Sequence, residues 1–238
     1  MVFSNALLFV VAAAVAGTSA LFLPAGDASF PGNTTLAGDL STRGVQAPGQ
    51  GTFDGFFWTS FVTSSFDVTF TNIAGGKYEV QWDGSGDFVV GQGTNPGSKS
   101  AVLTYSASWG PNPSSAAILS VYGWSTNPLV EYYINEEANN FNLGTANPGT
   151  TLKGTVVSDG ATYNIYEHQQ VNQPSIQGTA TFQQYLSVRQ GGRTSGTVTV
   201  ANHVNAWAKL GMPLGTMNYQ VMAVEGLSSS GQATVTVN

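Results

Sequence analysis

Cysteine is absent from the 238-residue chain, and only 8% of the residues are charged. Without cysteine the chain has no disulfides, no thiolate metal sites and no thiol nucleophile. With only two histidines, a multi-histidine metal centre is not expected, and no cofactor is expected either. Seven Lys and Arg residues stand against thirteen Asp and Glu residues, a net charge of −6. This balance argues against nucleic-acid binding, which depends on neutralising phosphates.

Charged residues make up about 25% of an average soluble domain. Because Glu, Lys and Arg normally cover helix surfaces, their scarcity argues against a bundle of long helices. The chain has 29 glycines and many Ser, Thr and Asn residues. This composition favours β-sheet, where Thr, Val and Tyr cover the faces and Gly turns the corners. The length suits one large domain or two small ones.

The N-terminus has the pattern of a secretory signal. Residues 6–16 form the apolar run ALLFVVAAAVA, and small residues typical of a cleavage site follow. A membrane anchor is the alternative, but this run is shorter than the ~20 residues that span a bilayer. We therefore expect a signal peptide at 1–20, a secreted extracellular protein, and no membrane contact after the signal is removed.

Residues 21–46 are a mixed, glycine-rich stretch that we interpret as a pro-segment or a flexible arm. This stretch carries the only glycosylation sequon of the sequence, Asn33-Thr34-Thr35. No linker interrupts residues 47–238, so this range is predicted to be one domain. We expect the domain to be a monomer.

Short runs of alternating polar and apolar residues fill the predicted domain. Phe66–Thr71 and Lys77–Trp82 are two examples, each followed by a glycine-containing turn signal. Many short strands at regular spacing are typical of a β-sandwich or barrel.

Residues 200–210 break the two-residue period. Val200, Val204, Trp207 and Ala208 fall at helical spacing, and Gly211 can end a helix. The sequence therefore predicts a single helix beside an all-β body.

Two glutamates lie in strands that are otherwise apolar and aromatic. Glu131 lies within Leu129–Ile134, and Glu225 directly follows Tyr219–Val224. A carboxylate on an apolar strand loses solvation and needs a compensating reason. Two interpretations are open at this point. The glutamates are unrelated edge-strand residues that face water, or they form a pair in an aromatic cleft, the arrangement used for glycoside hydrolysis.

Other catalytic signatures are missing from the sequence. There is no G-x-S-x-G elbow, no P-loop and no G-x-G-x-x-G that opens a helix. His168 and His203 have no catalytic-triad context, so both are expected to be structural. No metal ligands are predicted.

Four segments carry a resemblance to one known family. They are Leu119–Tyr133 (LSVYGWSTNPLVEYY), Val171–Phe182 (VNQPSIQGTATF), Asn202–Trp207 (NHVNAW) and Gly215–Gly226 (GTMNYQVMAVEG). In this order they resemble the nucleophile segment, thumb loop, helix and acid/base strand of glycoside hydrolase family 11, the endo-β-1,4-xylanases. The resemblance runs from about residue 49 to residue 238.

The resemblance implies a β-jelly roll of two twisted antiparallel sheets, with one short α-helix and a cleft across the concave face. It also implies a retaining hydrolysis of xylan, with Glu131 as nucleophile and Glu225 as general acid/base. The residues that match substrate-binding positions of the family lie around the nucleophile, on the thumb and on the acid/base strand: Tyr122, Tyr133, Gln184, Pro174, Ile176 and Tyr219.

One further residue matches a position that modulates the acid/base. In the segment 85–89 (SGDFV), Asp87 stands where family members with Asp resemble acid-active enzymes and members with Asn resemble near-neutral ones. Two carboxyl groups within hydrogen-bond reach share a proton and titrate in coupled steps. We therefore expect maximal activity on the acidic side of neutral, and a profile that moves upward in pH in Asp87→Asn.

The chain also departs from the family at several cleft positions. Phe61 occupies a substrate-binding position where the family usually has Trp, and Gln170 stands where the family has Arg. Three more positions lack an aromatic residue that is common in the family: Thr94, Leu186 and Leu227. These departures bear on substrate affinity, because the catalytic pair is retained. The alternative function is a protein of the same fold that binds xylan or acts as an elicitor at a plant surface, with weak or no hydrolysis.

Overall fold

The computed structural model describes residues 43–63 and 66–238. The predicted signal at 1–20, most of the predicted arm and the Asn33 sequon lie outside the described residues. In chain order the strands are β1 (Arg43–Gln46), β2 (Gly49–Phe53), β3 (Phe56–Val62), β4 (Phe66–Ile73), β5 (Lys77–Gly84), β6 (Asp87–Thr94), β7 (Val102–Pro111), β8 (Ala116–Thr126), β9 (Val130–Asn139), β10 (Thr151–Ser158), β11 (Ala161–Ser175), β12 (Gly178–Arg189), β13 (Ser195–Thr199), β14 (Thr216–Leu227) and β15 (Ser230–Val237). The helices are α1 (Leu143–Ala146) and α2 (Val200–Lys209).

The strands form two sheets, which confirms the predicted all-β jelly roll. The six-stranded sheet has the order β1-β4-β5-β15-β7-β13, and the nine-stranded sheet has the order β10-β11-β12-β9-β8-β14-β6-β3-β2. Every pairing in the described structure is antiparallel except that of β9 with β12, which is parallel. The larger sheet is therefore mixed at its centre, a detail that the sequence pattern did not predict.

Two features of the described structure were not predicted from the sequence. Residues Arg43–Gln46, the end of the predicted arm, form β1 and pair with β4 of the six-stranded sheet. Within the described residues the first strand therefore begins at Arg43, four residues before the predicted domain boundary. In addition to the predicted helix, the single-turn helix α1 follows β9, and its Asn142 side chain accepts a hydrogen bond from the amide of Gly144.

The nine-stranded sheet has an apolar cluster on each of its two faces. The larger cluster lies between the two sheets and contains side chains from both, such as Tyr78 and Trp82 from one and Val90 and Leu119 from the other. The second cluster uses the opposite face of the nine-stranded sheet, called the outer face below. Because successive strand residues alternate between faces, the outer face receives the odd-numbered residues of β9 near Glu131 and the even-numbered residues of β12.

Helix α2 covers the predicted segment. Val200, Val204 and Trp207 are buried as expected, and His203 is buried with them, whereas Ala208 is exposed. The helix ends where Gly211 adopts φ +80°, a conformation that suits glycine. Neither helix of the described chain is long and apolar enough to span a membrane.

Candidate active site

Glu131 lies at the centre of the nine-stranded sheet, on β9. Its strand neighbours place Gln184 of β12 on one side and Trp124 of β8 on the other. The side chain is fully buried, and three side chains donate hydrogen bonds to its carboxylate. Tyr122 Oη and Tyr133 Oη donate to Oε1 at 2.8 and 3.1 Å, and Gln184 Nε2 donates to Oε2 at 2.7 Å.

These contacts act against burial in setting the charge of Glu131. Loss of solvation raises the pKa of the carboxyl to about 7, and the hydrogen bonds from Gln184, Tyr122 and Tyr133 limit that rise. An apolar environment alone would hold the group neutral, whereas three donors favour the carboxylate. Glu131 is therefore a buried group that ionises near neutrality, with both oxygens held in fixed positions.

Trp124 belongs to this network, although the sequence reasoning did not select it. Its indole Nε1 donates to Tyr122 Oη at 2.8 Å, so that Tyr122 in turn aims its own proton at Glu131. The Trp124 ring packs edge-on against Phe182, with ring centroids 4.9 Å apart. The sequence could have indicated Trp124 as a site residue, because it lies two residues after Tyr122 and therefore shares its face of β8.

Glu225 approaches the same face from β14. Its neighbour across the strand pair is Val89 of β6, and Asp87 lies opposite Leu227. Asp87 is thus the diagonal neighbour of Glu225 on the outer face, a relation that still permits side-chain interaction. Both carboxyl groups are almost completely buried, at 1% and 2% exposure.

The pKa of Glu225 is raised well above its ordinary value. Burial is the largest cause, followed by the negative charges of Asp87 and Glu131, while the hydroxyl of Tyr133 acts in the opposite direction. Burial also raises the pKa of Tyr133, and the charges of Glu131, Glu225 and Asp87 raise it further. Tyr133 therefore lies within the electrostatic reach of all three carboxyl groups.

Tyr219 extends the aromatic surface away from the carboxyl groups. Its ring stacks on Phe57 of β3, with centroids 5.3 Å apart and an interplanar angle of 28°, and lies 5.9 Å from the ring of Tyr122. Phe57 was not predicted as a site residue. Phe61 lies four residues later on the same face of β3, half-buried, opposite Val89.

The predicted thumb is the tip of the long hairpin formed by β11 and β12. Pro174 lies opposite Thr179 at the end of the hairpin, and Ile176 packs against the apolar cluster of the outer face. The buried side chain of Ser175 fixes the tip, because its Oγ donates to the Gly178 carbonyl at 2.7 Å and accepts from the Gln177 amide at 3.0 Å. The structure does not place Pro174 in contact with the carboxyl groups.

The positions that depart from the family differ in their surroundings. Leu186 and Leu227 are buried in the cluster of the outer face, and Gln170 is buried on the adjoining strand. Thr94 is exposed at the end of β6. Among the described residues no group of three or more potential ligands could hold a metal ion.

The arrangement contains two buried carboxyl groups with different surroundings. Three hydrogen-bond donors favour the carboxylate of Glu131, whereas burial and the charges of Asp87 and Glu131 raise the pKa of Glu225 and favour its protonated form. One group is thus suited to act as a nucleophile and the other as a proton donor. Tyrosine and phenylalanine rings beside them supply the flat surfaces on which sugar rings pack.

Comparison with known proteins agrees with this geometry. The chain is 52% identical over 211 residues to "Ethylene-inducing xylanase 1" of Botryotinia fuckeliana, covering 88% of this chain and 72% of that protein. It is 50% identical over 244 residues to "Endo-1,4-beta-xylanase B" of Phanerodontia chrysosporium, covering 100% and 77% of the two chains.

A solved structure of a major endo-1,4-β-xylanase from Trichoderma reesei has a similar fold. It superimposes with a TM-score of 0.69 at 53% sequence identity, covering 75% of this chain and 96% of that one. The family model described as "Glycosyl hydrolases family 11" matches residues 53–236. The chain therefore belongs to glycosyl hydrolase family 11.

Proposed function

We propose that this chain is a secreted, retaining endo-1,4-β-xylanase that hydrolyses internal bonds of xylan with Glu131 as nucleophile and Glu225 as acid/base. Family membership and the xylanase names of relatives at about 50% identity support the activity and the substrate. The single observation that carries the assignment of roles is the set of three hydrogen bonds that the Glu131 carboxylate accepts, because these donors favour the ionised form that a nucleophile needs.

In the first step the Glu131 carboxylate attacks the anomeric carbon, and the bond from that carbon to the leaving oxygen breaks. Glu225 gives its proton to the leaving oxygen, so one half of the chain departs as an alcohol and the other remains as a glycosyl ester of Glu131. In the second step Glu225 removes a proton from water, which attacks the same carbon and releases Glu131. Tyr122, Tyr133 and Gln184 hold Glu131 in position throughout.

The remaining site residues have roles in binding. Tyr219 and Phe61 offer aromatic faces to the sugar, and Pro174 and Ile176 lie on the hairpin tip that closes over it. The apolar segment within residues 1–20 supports export, and residues 47–238 are proposed to act as a monomeric domain. The alternative, a binding or elicitor protein with weak or no hydrolysis, is not favoured, since a protein that only binds has no need of both carboxyl groups.

A reducing-sugar assay on soluble xylan tests this function. The wild-type protein should release reducing ends, and Glu131→Gln should lose turnover by several orders of magnitude, because an amide cannot form the glycosyl ester. Glu137→Gln is the matched control, since Glu137 lies on the same strand and its carboxylate, among the described residues, accepts a hydrogen bond only from the neighbouring Ala138 amide. Near wild-type hydrolysis by a folded Glu131→Gln protein would overturn the assignment.

A further inference from the structure

His168 lies in line with the proposed nucleophile on the outer face. It is directly opposite Gln184 in the pairing of β11 with β12, and Gln184 is directly opposite Glu131 in the pairing of β12 with β9. Tyr166, two residues earlier on the same face of β11, packs against the apolar cluster of the outer face. The three side chains of His168, Gln184 and Glu131 therefore form one row across three adjacent strands.

The two ring nitrogens of His168 have different environments. The half-buried ring has its Nδ1 enclosed, with no hydrogen-bond partner among the described residues, so the exposed part of the ring carries Nε2. Burial lowers the pKa of His168, because it disfavours the charged ring. A proton on Nδ1 would find no acceptor, so the tautomer that avoids a buried unsatisfied N–H carries its proton on Nε2, the nitrogen that can reach a ligand.

The other histidine shows what a structural role looks like in this fold. His203 on α2 is completely buried, and the ring of Tyr163 lies against it edge-on with centroids 4.6 Å apart. Burial lowers the pKa of His203 to about 4. His203 is completely buried, whereas the ring of His168 is partly exposed to solvent beside Gln184 and Glu131.

Gln184 offers a complementary group next to His168. Its Nε2 is committed to Glu131, which leaves the amide oxygen Oε1 as a free acceptor within the described structure. His168, which carries the donor, and Gln184, which carries the acceptor, are thus directly paired on adjacent strands, an arrangement that suits a hydroxyl group. A hydroxyl can accept one hydrogen bond and donate another at the same time.

We propose that His168 is a substrate-contacting residue whose Nε2–H donates to a sugar hydroxyl of the xylan chain, while that hydroxyl donates to Oε1 of Gln184. The proposal rests on the proposed function and deepens it, because it adds a specificity-determining contact. It differs from the sequence-based expectation that His168 is structural.

The test compares three variants with the wild-type protein on xylohexaose. His168→Ala removes the donor, His168→Gln retains an N–H donor, and Gln169→Ala is the matched control because Gln169 is exposed on the opposite face of β11. Loss of one hydrogen bond should raise KM about 5- to 20-fold in His168→Ala. The kcat value of His168→Ala should stay within about twofold of the wild-type value. The rise in KM should be smaller in His168→Gln than in His168→Ala.

A binding measurement separates failure of this contact from failure of the proposed function. Calorimetry with xylohexaose is carried out on Glu225→Gln, with and without His168→Ala, and the double variant should bind about 5- to 20-fold more weakly. This result stands even if the wild-type protein releases no reducing ends. Equal dissociation constants or an equal rise of KM in Gln169→Ala would overturn the contact alone, whereas no binding by Glu225→Gln would overturn the proposed substrate and the contact with it.

Discussion

At the scale of single residues, the site is governed by three carboxyl groups and one phenol. Tyr133 donates to Glu131 and lies within the electrostatic reach of Glu225 and Asp87. A negative charge on Asp87 raises the pKa of Glu225 and so makes Glu225 a weaker acid. Proton donation to the leaving oxygen is therefore easiest when Asp87 is neutral and Glu131 alone is ionised.

The first prediction concerns the pH profile of Asp87→Asn. In the wild-type protein the reactive state has Asp87 and Glu225 protonated and Glu131 ionised, which is two protons on three carboxyl groups. Together the three groups fall from two protons to one as the pH rises through the pKa of Glu131, about 7. The population of the reactive state therefore falls above that pH, and activity peaks on its acidic side. In Asp87→Asn the reactive state holds one proton and appears only as Glu131 ionises, so the optimum should move upward. The measurement is xylan hydrolysis from about pH 2 to 8, which spans the reference carboxyl values.

The control for this shift is Asp83→Asn, which removes an exposed carboxylate from the six-stranded sheet. Its profile should match the wild-type profile. Superimposable profiles for Asp87→Asn and the wild-type protein would show that Asp87 and Glu225 are not coupled.

The second prediction concerns Phe61, which presents a smaller ring than the tryptophan that is usual in the family. Phe61→Trp should lower KM for xylo-oligosaccharides about twofold to tenfold, because aromatic contacts contribute about 0.5–1.5 kcal/mol beyond burial. Phe53→Trp is the control, since Phe53 lies at the turn between β2 and β3, beside Gly44. Unchanged kinetics in Phe61→Trp would show that position 61 does not face the sugar.

Residue identity predicted the hydrogen-bonded part of the site, because Glu131 stands out in an apolar strand and Tyr133 shares its face. It could not reveal Phe57 as the stacking partner of Tyr219. That contact joins β3 to β14, which are separated by β6 in the sheet. It could not reveal the row from His168 to Glu131 either, because the row depends on the register of two strand pairs.

At the scale of elements, the hairpin of β11 and β12 carries both ends of the proposed binding surface. Its base supplies His168 and Gln184, and its tip supplies Pro174 and Ile176. The alternating pattern predicted the two strands. The parallel pairing of β12 with β9 was not predictable, since each strand reads as an ordinary alternating strand and parallel partners need a long connection.

The third prediction concerns the hairpin tip. Ser175→Ala removes both hydrogen bonds of the buried hydroxyl and leaves the Gln177 amide and the Gly178 carbonyl without that partner. A less ordered tip should raise KM for xylan severalfold and leave kcat nearly unchanged, because the catalytic row lies at the base of the hairpin. Thr179→Ala, an exposed change at the same tip, is the control. Equal KM values for the two variants would contradict this role.

At the scale of the whole molecule, polar contacts cross the core between the two sheets. Tyr78 of the six-stranded sheet donates to the Met222 carbonyl of the nine-stranded sheet at 2.9 Å. Tyr105 of β7 donates to Glu136 Oε2 of β9 at 2.9 Å, and Tyr163 of β11 donates to Oε1 at 2.5 Å. Arg193, which precedes β13, completes this second contact with a 2.5 Å ion pair to Oε2.

The final prediction concerns Glu136, which is completely buried and joins the two sheets. Glu136→Ala leaves the Arg193 charge without its carboxylate and the Tyr163 hydroxyl without its acceptor, while Tyr105 retains the Arg193 carbonyl. Breaking a buried ion pair costs about 3–5 kcal/mol. For a domain of this size each kcal/mol lowers Tm by roughly 2–4 °C, so the loss should reach about 6–20 °C. Glu137→Ala, one residue later, removes a carboxylate whose one hydrogen bond in the described part of the chain comes from the Ala138 amide, so it should change Tm little. Calorimetry measures both variants, and the xylanolytic rate well below Tm should be retained in each, because Glu136 faces the core and not the outer face. A Tm of Glu136→Ala equal to that of Glu137→Ala would show that this contact does not hold the sheets together.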